Sequence, residues 1–115
     1  MTRNEFISDV VAKRLQLITD TLARKGNEYS ADGTAFHNFE HGCTIAFAKN
    51  REVYAWDLMC KHLQSIKDMI DTVSISNAHN LPTEVTIEEK IGDAINYLIL
   101  IEGMLKENIK NAKTT

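Results

Sequence analysis

Residues 87–109, IEEKIGDAINYLILIEGMLKENI, constrain this chain more than any other stretch. On a wheel at about 100° per residue, Ile87, Ile91, Ile95, Leu98, Leu105 and Ile109 form one continuous stripe, the expected core face. Tyr97, Ile99, Leu100, Ile101 and Met104 extend the apolar surface almost all the way round the middle of the same helix. A helix that is apolar on every side has to be covered on more than one of them. In a chain of 115 residues the extra cover is most simply a second copy, and a homo-oligomer is expected.

Polar groups interrupt this surface at Asp93, Asn96 and Glu102. A carboxylate taken out of water costs several kcal/mol unless it is paired, metal-bound or facing a wet pocket. Glu89, Asp93, Asn96 and Tyr97 follow one another at helical spacing and make a polar strip along one flank. Two readings fit: a ligand or metal site, or a structural network in which Asp93 pairs with a lysine such as Lys61 and Asn96 satisfies a backbone group. Glu102 lies on the core side and suits an interface ion pair as well as a functional role.

The remaining chain is helical in pattern. Phe6, Ile7, Val10, Val11, Leu17, Ile18 and Leu22 recur at steps of three and four, predicting an amphipathic helix over 3–25 that Gly26 stops. Residues 27–34 carry loop chemistry. Phe36, Phe39, Cys43, Ala46 and Phe47 predict a shorter helix that weakens near residues 49–50. A longer one over 52–73 is expected to bury Trp56, Met59, Cys60, Leu63, Ile66 and Ile70, followed by a connection over 74–82. Thr86 and Glu89 fit a capping box that opens the last helix, which runs to about residue 110. With no internal repeat and no strand-like alternation, one all-α domain over 1–115, an antiparallel four-helix bundle, is predicted.

The formal charge of -3 offers no basic surface for nucleic acid. Cys43 and Cys60 sit in apolar patterns without metal or redox spacing and are expected as reduced core thiols. No signal-peptide pattern and no long apolar run are present, so a soluble cytoplasmic protein is expected. His37, Glu40 and His41 spell H-x-x-E-H, an inverted zinc-peptidase signature. Such peptidases need a third ligand and a cleft built from far larger domains, so the motif is expected as an exposed or loop-packing face, with Glu40 or a histidine free to line a shared pocket.

Three blocks, KGNEYSADGTAFHNFEHG, WDLMCKHLQSIKD and EEKIGDAINYLILIEGML, together resemble the small helical phage and prophage proteins grouped around the nucleotide modification associated domain 1. Those families show K-x-x-x-Y before N-F, then K-H, then D-x-x-N-Y. More distantly, EEKIGDAINYLILI is similar to the second acidic motif of the MazG-like all-α nucleoside triphosphate pyrophosphatases, oligomers that hold Mg²⁺ through acidic side chains. The resemblance implies that Asp93 matches the aspartate of E-x-x-D. Lys90 stands where the glutamate belongs, so Glu89 replaces it only in a shifted register. The first acidic motif has no counterpart, since the second helix offers only Glu40.

These readings converge on a phage-type nucleotide-handling protein, encoded for the host cell cytoplasm. In it Asp93 and Glu89, with Glu40, hold Mg²⁺, Lys61 and His62 contact phosphate, and Asn96 and Tyr97, with Asn38 of the N-F step, position the nucleotide. The reaction expected of an enzyme is attack of water on a phosphoanhydride. The alternatives are a non-catalytic nucleotide-binding or protein-interaction oligomer, and a purely structural one.

Overall fold

The computed structural model describes residues 1–29, 35–75 and 81–114. Among these the chain is helical throughout, in four runs. The first, α1, spans 3–29 and comprises an α-helical turn (Arg3–Glu5), a π-helical segment (Phe6–Ala12) and a regular α-helix (Lys13–Tyr29). Then follow α2 (His37–Ile45), α3 (Arg51–Ile75) and α4 (Glu84–Lys113).

Several ends differ from the sequence expectation, each for a local reason. Gly26 does not stop α1, which continues through Tyr29; one glycine costs a helix only about 1 kcal/mol. Residues 30–34 and 76–80 of the two expected connections lie outside the described residues. The last helix begins not at Thr86 but at Glu84, because Thr83, directly after Pro82, presents extended backbone and its hydroxyl accepts from the Thr86 amide at 3.1 Å. The capping box stands at the other end of the chain, where Thr2 and Glu5 bond each other's backbone amides.

The most extensive packing joins α3 to α4 in antiparallel sense: Arg51 reaches Met104 and Asn108, while Ser65 meets Lys90. Helix α2 lies on α3, α1 lies on α4, and α1 and α2 touch. The core comprises Phe39, Ala55 and Met104, edged by Phe36, Leu58, Tyr97, Leu100 and Ile101, and Met59 is also fully buried. Each such methionine stabilises the fold by roughly 1.5–3 kcal/mol.

Arg51 ties three helices together at one end. Its guanidinium donates to Glu40 at 2.9 Å, Glu52 at 3.0 Å, Glu107 at 2.9 Å, the Met104 carbonyl at 3.1 Å and Asn108 at 2.9 Å. It also stands 5.1 Å above the Phe36 ring.

Two predicted core faces are open instead. On α4, Leu98, Leu105 and Ile109 are half exposed, whereas Gly92, Ala94, Asn96 and Met104 are buried. Small residues decide this: Gly103 lets the Phe36 ring approach to where a Cβ would lie 2.8 Å away, and Gly92 does the same for Arg14. On α3, Trp56, Cys60, Leu63 and Ile70 are exposed, because α4 packs on the side that carries Ala55, Met59 and His62. Cys60 is therefore a surface thiol, while half-buried Cys43 donates to the Ala48 carbonyl. Phe47 falls outside α2, in a left-handed conformation (φ 55°) with 97% of its surface exposed.

Candidate functional site

A cleft of about 390 Å³ opens between α1 and the first half of α4. Its α1 wall is one helix face, Arg14, Leu17, Ile18, Thr21 and Arg24 at steps of three and four, with Lys13 beside it. The α4 wall comprises Val85, Glu88, Glu89, Gly92, Asp93 and Asn96. Cations stand on one side and carboxylates on the other.

Part of this charge is already matched. Lys13 Nζ lies 2.8 Å from Glu88, and this hydrogen bond, with the attraction of the carboxylate, raises the lysine pKa above its ordinary value. Arg14 donates from Nη2 to the Glu88 carbonyl at 3.0 Å, its guanidinium resting over Gly92. One fork of donors is thus held in place with N–H groups to spare. Glu89 and Arg24 make no ion pair among the described residues.

Asp93 is neither locked in a dry pair nor loose in solvent. It is 38% exposed, lines the cleft and keeps one oxygen 3.6 Å from His62 Nδ1, an ion pair when the imidazole is protonated. The expected lysine partner is not used: Lys61 is exposed on α3 and takes no part in the cleft wall. His62 is held instead by the Tyr97 ring, 5.2 Å away, which meets Phe39 edge-on at 6.1 Å.

Asn96 also lines the cleft. Its side chain is 93% buried (7% exposed), yet its Oδ1 has no hydrogen-bond partner among the described residues. An unmet buried acceptor costs on the order of 1–3 kcal/mol, so the native fold carries this group at a loss.

Asp93, Glu89 and Asn96 are therefore brought together, with His62 and Tyr97 behind Asp93. Glu40 and Asn38 are not: Glu40 bonds Arg51 near the far end of α4, and Asn38 is exposed on α2. Within H-x-x-E-H, the His37 and His41 rings stack at 5.6 Å and Glu40 is held by Arg51. Glu102 pairs with Lys106 on the surface at 2.8 Å. Lys90 extends to Ser65, 2.6 Å away, leaving Glu89 to face the cleft one turn before Asp93.

Among the described residues no three His, Cys, Asp or Glu side chains converge well enough to cage a metal. Two carboxylates by themselves would suit only a cation that completes its shell with phosphate oxygens and water, the habit of Mg²⁺. Lys13, Arg14 and Arg24 are site residues that the sequence analysis does not single out. Gly92 was the available signal, since a glycine inside a buried helix marks close approach by something large. No protein-family model, no curated protein and no solved structure matches this chain.

Proposed function

We propose that the cleft between α1 and α4 binds a nucleotide together with Mg²⁺. The observation that carries this reading is the buried, unbonded Oδ1 of Asn96 in a cleft whose walls oppose Glu89 and Asp93 to Arg14 and Arg24. A ligand that joins a cation to a polyphosphate carries both signs, and suits such a cleft better than a simple anion does. The guanidinium groups would take phosphate oxygens. Glu89 and Asp93 would hold the metal, which when bound spreads charge off the phosphates. Asn96 would accept an N–H of the ligand, and His62 would orient Asp93 from behind. The resemblance to MazG-like pyrophosphatases extends the reading to hydrolysis between phosphates, with Glu89 serving in the shifted register.

Calorimetric titration with nucleoside triphosphates, with and without Mg²⁺, tests the binding. Metal-dependent affinity that falls about ten- to hundredfold in Arg14→Ala, the loss expected for a charge-assisted hydrogen bond, supports it. Absence of binding to any of them overturns it. Pyrophosphate release separates enzyme from binding protein: turnover lost in Asp93→Asn with the fold intact marks hydrolysis, and binding without turnover marks sequestration.

A further inference from the structure

A set of exposed apolar residues on α3 and α4 forms one surface. On α3, the residues that meet α4 (Arg51, His62, Ser65) share one side, and Trp56, Leu63 and Ile70 lie about a third of the way round the wheel from it, with Cys60 and Val53 further round, on the side away from α4. On α4, the residues that meet α3 (Lys90, Asp93, Met104) likewise leave Ile87, Leu98, Leu105 and Ile109 about a third of the way round, in the same rotational sense. Two antiparallel helices are exchanged by a two-fold axis normal to their shared plane. Equal offsets therefore bring both stripes to the same face, the one opposite α1 and α2. Along α3 the spacing of 53, 56, 60, 63 and 70 is that of a heptad seam.

The exposed area fits a partner on this face. The chain exposes 8370 Å², whereas a compact monomer of 13.0 kDa is expected to expose roughly 6,300 Å². This whole-chain excess of about 2,000 Å², part of it at the protruding start of α1, leaves room for the roughly 800 Å² per subunit that a standard specific interface removes from water. Both stripes run along helices and are apolar, so another copy of the same helical pair, presenting the same seam, is the complementary surface.

We infer that two copies of this chain associate through the α3–α4 face, with Trp56, Leu63 and Leu98 at the contact, and that the α1–α4 cleft remains open on the far side of each. Light scattering on the eluting full-length chain gives the mass directly. Twice 13.0 kDa is expected, with Leu98→Glu and Leu63→Glu each reverting to 13.0 kDa at unchanged helicity. Trp56 is the only tryptophan; its emission should be blue-shifted and shielded from a quencher in the wild type and exposed in both variants. A wild-type chain monomeric at every concentration, with Trp56 open to quencher, overturns the inference. So does an assembly that both variants leave intact. Binding of the monomer to anionic lipid vesicles through Trp56 would assign the face to a membrane surface instead.

Discussion

At the scale of single residues, Arg51 and Asn96 illustrate opposite ways of handling buried polarity. Arg51 is 9% exposed and meets three carboxylates, an amide and a carbonyl. Removing it leaves its partners crowded with like charge, and Arg51→Ala should cost about 3–5 kcal/mol, the range for breaking a buried pair, read by urea denaturation. Burial pushes the Glu52 carboxyl up, but hydrogen bonds from Arg51 and Asn108 outweigh it and hold the group below its ordinary 4.5. A depressed carboxyl stabilises the fold in full above its unfolded value, and that contribution is lost as pH falls through the folded one. Wild-type melting temperature should therefore decline from about pH 5 downward, and Glu52→Gln should flatten the decline. Asn96 lacks what Arg51 has in excess. Asn96→Leu removes an unmet acceptor at little change in volume, so it should raise the melting temperature by a few degrees while weakening nucleotide binding in calorimetry. A loss of stability would show that the amide is structurally needed.

At the scale of elements, the helix ends carry the testable chemistry. The reversal after α2 places Phe47 at φ 55°, where its amide donates to the Thr44 carbonyl and that of Ala48 to Cys43. This is glycine's usual position after a helix, and a side chain there costs about 1 kcal/mol. Phe47→Gly should stabilise the monomer by about that amount in thermal unfolding, because the ring itself buries almost nothing. Thr83→Ala should cost about 1 kcal/mol through the lost cap. The four helices were legible in the sequence because hydrophobic period is a local property; the punctuation at Gly26 and Thr86 misplaced their ends. Which sides they bury was not. Hydrophobicity selected Leu98, Leu105 and Trp56 for the core, but close approach is permitted by Gly92, Ala94 and Gly103, and a pattern of apolar residues does not record which neighbour arrives on which side. Asp93, Glu89 and Asn96 were legible as a strip on one helix; the opposing Arg14 and Arg24 were not, since their meeting depends on a packing of helices far apart in sequence, 74 positions in the case of Arg14 and Glu88.

At the scale of the whole molecule, the shape is extended. The Cα radius of gyration is 17.1 Å, against about 13 Å for a compact chain of similar length. Among the described residues no helix is long and apolar enough to cross a membrane. The π-helical start of α1 contributes to the extension: among the described residues no Cα of another helix lies within 8 Å of its own, and Phe6, Ile7 and Val10 are half exposed. Deleting residues 1–12 should leave the melting temperature within a few degrees of wild type, since little apolar burial is lost, whereas a shortened chain that unfolds would place this segment in an interface.

The attachment of α1 to α4 bears on how the cleft would take up a ligand. The α3–α4 hairpin is joined by local chain, but α1 reaches α4 through Lys13, Arg14 and a few half-buried aliphatics. Few contacts hold the first helix, so it should open at lower free energy than the α3–α4 pair, and its lifting would admit or release a ligand without disturbing the core. Amide deuteration should accordingly reach α1 well before Met59 or Met104, and a bound nucleotide, clasped from both walls, should slow exchange along that helix first.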